Sequence, residues 1–171
     1  RIKLNYMNNA FVDLFAGCGG LSLGLERAGF QPIYVNELNN DALKSYTINR
    51  SEYPYLEDKE FFSNDIYEIT RKPEKLEKLK KHLFSHFKIK KNDLSLIVGG
   101  PPCQGFSGIG HRRTFNVKKK DIPSNHLYRE MAKFIKIFNP KGFIFENVKG
   151  LLSARWSPKG DKGEIFKDVL K

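Results

Sequence analysis

The chain alternates short apolar runs with segments of helical periodicity. The runs at 10–15, 32–36, 94–98 and 142–145 are almost uninterrupted, so each would present apolar side chains to both faces of a strand. Strands of that kind are typical of a parallel sheet covered by helices. The alternation of strand and helix predicts one α/β domain over residues 1–171, built on a doubly wound, mostly parallel sheet.

Several helices are predicted between these strands. One follows the first strand and ends at Gly29, a second begins near Asn40, and a third follows Asn125. The segment 71–91 holds nine Lys or Arg against two Glu, and it predicts a basic amphipathic helix with Pro73 as its first residue. Its basic face either contacts nucleic acid or is simply solvated, and the second interpretation is favoured. The apolar stripe of this helix would consist of Leu76, Leu79, Leu83 and Phe87.

The charge balance of the chain indicates a class of binding partner. The chain has 30 Lys and Arg against 19 Asp and Glu, a net charge of +11. That balance favours a polyanionic partner, although a lysine-rich surface also serves solubility alone. With 40% hydrophobic residues the chain can form a packed core.

The two cysteines, Cys18 and Cys103, are far apart, and neither has a second ligand at metal-binding spacing. We therefore expect no disulfide framework and no metal.

No apolar run approaches the roughly 18 residues of a membrane span, and the first residues lack the apolar core of a signal peptide. We expect a cytoplasmic protein.

A glycine-rich loop, Asp13-Leu-Phe-Ala-Gly-Cys-Gly-Gly20, separates the first strand from the first helix. Its glycines would let the backbone approach a ligand closely, and the helix N-terminus offers free N–H groups. A nicotinamide-binding loop would have a third glycine where Ser22 stands. Asp13 also suits a cationic amino-acid ligand better than a diphosphate. A sulfonium compound with an amino-acid tail fits both features.

Two further acids follow predicted strands. Glu37 lies twenty residues beyond Gly17, where a carboxylate can accept hydrogen bonds from both ribose hydroxyls. Asp65 follows a short apolar run and could accept from an adenine amino group. An acid after a strand is more often a helix cap. Together with Asp13, however, these acids stand at successive strand ends, which favours a ligand site.

A cysteine and a carboxylate follow the later strands. Cys103 stands in Gly99-Gly-Pro-Pro-Cys-Gln-Gly-Phe-Ser107, directly beyond a strand, and Glu146 follows the last strand. A lone cysteine is commonly a small buried hydrophobe, but two preceding prolines argue against a strand core. A thiolate and an acid suit cytosine: a nucleophile adds to C6 while the acid acts at N3. Glu146 would work protonated, which burial would favour.

The motifs DLFAGCGG, GGPPCQGFS and ENV, in this order, resemble those of the cytosine-5 DNA methyltransferases. The resemblance implies a Rossmann-like, S-adenosylmethionine-dependent domain in which Cys103 is the covalent nucleophile, Glu146 the acid at the ring nitrogen and Asn147 its neighbour in the motif. The cofactor-binding residues that it implies are Phe15, Gly17, Gly19, Gly20, Glu37, Leu38, Asp65, Ile66, Gly100, Pro102 and Leu127.

The chain departs from the family pattern in three places. Leu38 stands where the family often has Trp, and the turn Asp121-Ile-Pro-Ser-Asn125 lacks the usual Arg. The later elements, including the target-recognition region, are absent. We therefore expect a C-terminally incomplete domain, inactive alone, whose missing part lies in the same protein or in a second chain.

A cluster of cations follows the nucleophile. In the family this loop closes over the target nucleotide, and its cations would contact phosphates and supply affinity rather than sequence choice. The target cytosine must leave the duplex to reach the pocket. The nucleic-acid-binding residues expected here are Arg112, Arg113, Lys118, Lys119 and Lys120.

The resemblance implies a DNA cytosine-5 methyltransferase of a bacterial restriction-modification system, with double-stranded DNA as its partner. Methylation of transfer RNA on the same scaffold is one alternative. Another is a truncated homologue that binds cofactor or DNA without turnover. A nicotinamide dehydrogenase is disfavoured by Ser22 and by the Cys–Glu pair.

Overall fold

The computed structural model describes residues 7–102, 123–157 and 159–171. The strands there are β1 (Ala10–Leu14), β2 (Gln31–Asn36), β3 (Phe62–Ser63), β4 (Leu96–Gly99) and β5 (Gly142–Phe145). The α-helices are α1 (Gly20–Arg27), α2 (Asn40–Ile48), α3 (Tyr67–Thr70), α4 (Pro73–His86), α5 (Tyr128–Phe138) and α6 (Glu164–Val169). Short 3-10 helices span Pro54–Glu57, Pro123–His126 and Lys149–Ser153.

The strands form one parallel sheet in the order β3-β2-β1-β4-β5. The chain runs outward from β1 through β2 to β3, then crosses back to β4 on the other side of β1. This order confirms the predicted doubly wound sheet. It also puts the switch point between β1 and β4, and a ligand crevice of an open α/β sheet lies beyond the carboxyl ends of the strands at that point.

The register aligns the carboxyl ends of all these strands. Leu14 of β1 pairs with Asn36 of β2 and with Gly99 of β4. Asn36 pairs in turn with Ser63 of β3, and Gly99 pairs with Phe145 of β5. The residue that follows each strand therefore emerges at a common edge, which we call the strand-end edge.

The main core lies between β1, β2 and the helices α4 and α5. Both faces of β1 are buried, as its unbroken apolar pattern predicts. The predicted apolar stripe of α4 is confirmed, since Leu76, Leu83 and Phe87 are buried in this core and Leu79 packs against it, partly buried. Phe134 and Phe138 of α5 stack there with ring centroids 5.5 Å apart. Burial of each such ring contributes roughly 2 to 3 kcal/mol.

The strand β5 differs from the prediction of two buried faces. Phe143 is 58% exposed and Ile144 is 38% exposed. The reason is position, since β5 pairs only with β4 among the described strands and lies at one edge of the sheet. Beyond its carboxyl end a small second core forms from Leu151, Ala154, Trp156 and Ile165.

The predicted helix ends agree with the structure. Gly29 follows α1 with a φ of +86°, in the left-handed region that favours glycine. Asn39 caps α2 by accepting from the backbone N–H groups of Asp41 and Ala42.

Within the described ranges, no helix is both long and apolar enough to cross a membrane. Those ranges likewise contain no group of three or more His, Cys, Asp or Glu residues that could hold a metal ion.

Candidate functional site at the strand-end edge

The strand-end edge brings sequence-predicted residues together. Phe15, Glu37, Gly100 and Glu146 each directly follow the aligned last residue of a strand, and Asn64 follows β3 in the same way. Parallel pairing in register is therefore enough to bring four predicted site residues to one edge. These residues are up to 131 positions apart in the sequence, yet they lie at the same edge of the sheet.

The loop between β1 and α1 is held at this edge by backbone groups. Phe15, Gly17 and Gly19 have φ values of +58°, +56° and +87°. The Ala16 N–H donates to the carbonyl of Asn36 at 3.0 Å, which ties the loop to the end of β2. An ideal Cβ built on Gly17 would meet no described heavy atom within 4 Å. The backbone at Gly17 is therefore accessible, as a close approach to a ligand requires.

Glu37 joins this loop to the start of α2. Its Oε2 accepts from the Gly17 N–H at 2.7 Å, and its Oε1 accepts from the Asn39 N–H at 2.8 Å. A carboxylate oxygen has two acceptor positions, so each of these oxygens can accept one further hydrogen bond. The next residue, Leu38, is 73% exposed and presents an apolar surface beside this carboxylate.

Asp65 and Ile66 have local structural roles in the fold. The Oδ1 of Asp65 accepts from the Tyr67 N–H at 2.9 Å, at the start of α3. This is the helix-cap role that an acid after a strand commonly has. The Ile66 side chain is buried in the main core. A ligand at this position would therefore meet the Asp65 carboxylate and the backbone of Ile66 rather than the Ile66 side chain.

Two asparagines that the sequence analysis did not single out connect the ends of β2 and β3. The buried Asn36 amide donates to the carbonyls of Ser63 and Asn64, at 3.1 and 2.9 Å. The Asn64 amide donates to the carbonyl of Glu37 at 3.1 Å and to Asn40 Oδ1 at 2.9 Å. The signal that could have identified them is a polar residue at the end of each apolar run.

The expectation for Asp13 is corrected by the structure. Asp13 is 1% exposed and accepts a hydrogen bond from Ser22 Oγ, so it lies beneath the loop and does not face a ligand. Ser22 Oγ also shares a hydrogen bond of 2.8 Å with the Tyr46 hydroxyl. Burial raises the pKa of Asp13 to about 7. The serine in place of a third glycine supplies the donor that this buried carboxyl needs.

The ends of β4 and β5 are tied in a similar manner. The Glu146 N–H donates to the carbonyl of Gly99 at 2.9 Å, and the Asn147 amide donates to the carbonyl of Pro101 at 3.1 Å. An ideal Cβ on Gly100 would lie 2.7 Å from Glu146 Oε2. A glycine at 100 therefore lets the Glu146 carboxylate approach the backbone that leads to Cys103. Glu146 is exposed, which differs from the expected burial.

A shallow cleft that is open to solvent lies beside these residues. Its lining comes from the ends of β4 and β5 and from neighbouring helices, namely Pro101, Pro102, Asn125, Tyr128, Phe145, Asn147, Leu151 and Val169. Leu127, which was expected to close the cofactor pocket, packs partly buried against the main core at the start of α5. Pro102 is the last described residue before Cys103 and is exposed at this cleft.

Cys103 and the cationic loop lie outside the described residues. The roles expected for Cys103, Arg112, Arg113, Lys118, Lys119 and Lys120 therefore stay predictions. The described residues on either side bring the chain to the cleft just before Cys103 and return it at the 3-10 helix Pro123–His126.

Comparison with known proteins identifies the family. A family model described as C-5 cytosine-specific DNA methylase matches residues 9–171. The chain belongs to this family. Among its curated relatives, the type II methyltransferase M.DdeI of Desulfomicrobium norvegicum is 38% identical over 159 residues, which cover 93% of this chain and 31% of the relative. The type II methyltransferase M1.HphI of Haemophilus parahaemolyticus is 35% identical, covering 86% and 34%.

A solved structure agrees with this family membership and with the Rossmann-like fold. A structure described as a DNA modification methyltransferase encoded within an E. coli prophage is similar to this chain with a TM-score of 0.60 and 28% identity. The match covers 94% of this chain and 36% of that protein. The chain thus spans about a third of the length of each of these three relatives.

Proposed function

We propose that this chain is the S-adenosylmethionine-binding and catalytic part of a DNA cytosine-5 methyltransferase. The observation that supports it best is the strand-end edge, where the register of one sheet brings together the glycine loop, Glu37, the segment before Cys103, and Glu146. Membership in the C-5 cytosine-specific family supports cytosine as the target base. Target recognition would lie in a further region or in a second chain, and the protein would act in the cytoplasm.

The residues at the edge fit S-adenosylmethionine. Glu37 has one remaining acceptor position on each carboxylate oxygen, which suits the two hydroxyls of a ribose. The exposed Leu38 offers an apolar surface for one face of the adenine, next to Asp65 and the backbone of Ile66. The remaining contacts would come from Phe15, Gly17, Gly19, Gly20, Gly100, Pro102 and Leu127. When bound, the cofactor would supply an electrophilic methyl group on a sulfonium.

The protein's own groups would activate the cytosine. The thiolate of Cys103 adds to C6, and an S–C bond forms as the electron pair of the C5–C6 double bond moves onto C5. Glu146 donates a proton toward N3, so that negative charge does not accumulate in the ring. After C5 has accepted the methyl group, N3 returns its proton to Glu146. C5 then loses its own proton to solvent base, and the electron pair of that C–H bond re-forms the C5–C6 double bond. The C6–S bond breaks as this double bond forms, which restores the ring and the thiolate.

Asn147 and the cationic loop would complete the site. The bond from Asn147 to the Pro101 carbonyl holds the segment before Cys103 against the end of β5. The cations from Arg112 to Lys120 would bind the phosphates around an extruded cytosine, a contact type that gives affinity and salt dependence. Duplex DNA is therefore the proposed substrate.

The decisive experiment uses the full-length protein with S-adenosylmethionine labelled in its methyl group. We expect label in cytosine of duplex DNA and none in transfer RNA. Cys103→Ser should lower the methylation rate at least about 1000-fold, because the hydroxyl is a far weaker nucleophile. DNA binding, measured by fluorescence anisotropy, should change little. Glu77→Gln, at an exposed position of α4, is the control and should retain activity.

A duplex with 5-fluorocytosine at the target base tests the covalent step. Fluorine cannot leave C5 as a proton does, so the adduct through Cys103 should persist and be visible as a DNA-linked protein band. Label in transfer RNA alone would overturn the DNA substrate. Full activity of Cys103→Ser would remove that residue from its assigned role.

A further inference from the structure

A buried arginine lies directly beneath the glycine loop. Arg50 follows the end of α2, and its side chain is 3% exposed. Its Nε donates to Glu26 Oε1 at 2.6 Å, which joins α2 to α1. Removal of a guanidinium from water is costly unless its donors are satisfied, so this side chain is held by specific contacts.

Both Nη atoms of Arg50 donate to backbone carbonyls. One Nη donates to the carbonyl of Gly19 at 2.9 Å, and the other donates to the carbonyl of Tyr46 at 3.1 Å. The guanidinium carbon also lies 3.8 Å from the centre of the Tyr46 ring. The same Gly19 carbonyl accepts the Leu23 N–H at 2.9 Å, the first hydrogen bond of α1. Arg50 therefore holds the point where the loop becomes a helix.

The contact with Arg50 and Tyr46 also explains the glycine at position 19. Gly19 has a φ of +87°, and an ideal Cβ there would lie 2.5 Å from Arg50 Nη1 and 2.7 Å from Tyr46 Cδ2. Gly17, in contrast, has open space at the corresponding position. The two glycines thus face opposite ways, Gly17 toward the accessible side of the loop and Gly19 toward the protein interior.

The support beneath the loop continues to the sheet. Tyr46, over whose ring the Arg50 guanidinium stacks, shares a hydrogen bond with Ser22, and Ser22 donates to Asp13 of β1. The loop is therefore anchored at three positions, namely by Arg50 at Gly19, by Glu37 at Gly17 and by Asn36 at Ala16. A loop held in its binding conformation loses less entropy when a ligand binds.

We infer that Arg50 is a positioning residue for the cofactor site: its hydrogen bond to the Gly19 carbonyl holds the loop in the conformation that binds S-adenosylmethionine. The inference rests on the proposed function. It concerns the loop alone, so Arg50 acts on cofactor affinity and not on the chemical step at Cys103.

The test compares Arg50→Met, Arg50→Lys and Glu26→Gln in the full-length protein. Arg50→Met should raise the Kd and the KM for S-adenosylmethionine about 10-fold, while kcat at saturating cofactor changes less than about two-fold. Arg50→Lys keeps the charge beside Glu26 but lacks the planar fork, so it should lie between wild type and Arg50→Met. Glu26→Gln removes the ion pair and leaves the bond to Gly19, so its KM should stay within about two-fold of wild type.

A second readout needs no turnover. Hydrogen exchange of the protein without cofactor should be faster over residues 17–23 in Arg50→Lys than in wild type, because the carbonyl anchor of the loop is weakened. If Arg50→Met does not fold, Arg50→Lys decides the question through KM and exchange.

Two results would overturn the inference: an unchanged KM in Arg50→Lys, or an equal rise in KM for Glu26→Gln and Arg50→Met. A lower rate at unchanged KM would indicate only loss of folded protein, and it would also count against a positioning role. If wild-type protein binds no S-adenosylmethionine by calorimetry, the proposed function itself fails, and this outcome is separate from the others.

Discussion

The two sides of the strand-end edge are built in different ways. The side proposed to bind the cofactor, residues 10–70, is called the cofactor side. It buries several polar groups and bonds them to neighbouring groups, as with Asp13 at 1% exposure and Arg50 at 3%. The side proposed to carry the catalytic groups, residues 94–102, 123–157 and 159–171, is called the catalytic side. Here Glu146 is exposed, and Phe143 and Ile144 of β5 are exposed to solvent.

This difference indicates where each geometry is determined. On the cofactor side, the loop conformation is fixed by contacts between β1, β2, α1 and α2, so it is a property of this chain. On the catalytic side, the ladder from β4 to β5 and the Asn147 bond align the backbone, while the acid stays exposed among the described residues. Substitutions on the first side should therefore change stability and cofactor affinity, and those on the second side should change the chemical step.

The largest effect on stability is expected for Asp13→Asn. The pKa of Asp13 is raised by burial to about 7, with the hydrogen bond from Ser22 and the charge of Arg50 opposing the rise and Glu26 and Glu37 adding to it. Its folded-state pKa lies above the unfolded value, so its contribution is complete at low pH and is lost as pH rises toward 7. Between about pH 5 and about pH 8, wild type should lose roughly 3 kcal/mol of unfolding free energy relative to Asp13→Asn.

Urea unfolding of the full-length protein at fixed ionic strength measures this difference. The matched control is Asp93→Asn, whose carboxyl has its pKa lowered by the hydrogen bond from Lys141. A lowered pKa puts its stability change below the tested pH range, so this variant should run parallel to wild type. Parallel curves for Asp13→Asn and wild type would mean that the buried carboxyl does not titrate in that range.

Glu146→Gln tests the catalytic side alone. The amide keeps the size of the side chain but cannot donate the proton at N3 in the same way, so kcat should fall about 100-fold. The Kd for S-adenosylmethionine should stay within about two-fold of wild type, because the loop contacts are unchanged. Glu77→Gln, on the exposed face of α4, is the control and should leave both values unchanged. A large loss of cofactor affinity in Glu146→Gln would contradict the separate roles expected for the two sides.

The smallest effect is a gain on the cofactor side. Leu38→Trp would put an aromatic ring at an exposed position beside Glu37, where it could cover the adenine. Such stacking contributes roughly 0.5 to 1.5 kcal/mol, so the Kd for S-adenosylmethionine should fall about 3- to 10-fold. Ile48→Trp, also exposed but at the end of α2, is the control and should bind as wild type does. Equal affinity in Leu38→Trp and wild type would argue against adenine at this position.

Much of the fold followed from local patterns. Uninterrupted apolar runs predicted the parallel strands, and the stripe at Leu76, Leu83 and Phe87 predicted α4, because burial on two faces or on one stripe leaves a periodic signal in the sequence. The order of the glycine loop, Glu37 and Glu146 along the chain was likewise visible. Their common edge follows once the strands are parallel, since parallel strands end on the same side of the sheet.

The contacts between distant residues were decided by the tertiary structure. Nothing local distinguishes Asp13 as a buried carboxyl from Asp13 as a ligand, because the difference lies in Ser22 and Tyr46, 9 and 33 positions away. The same holds for Arg50, whose partner Gly19 is 31 positions away. Periodicity records which face of an element is apolar, whereas the pairing of buried polar groups depends on how two elements pack. The sequence thus determined which elements form and where polar residues follow the strands. The packing of α1 and α2 decided which of these polar groups hold the loop in place and which are accessible to a ligand.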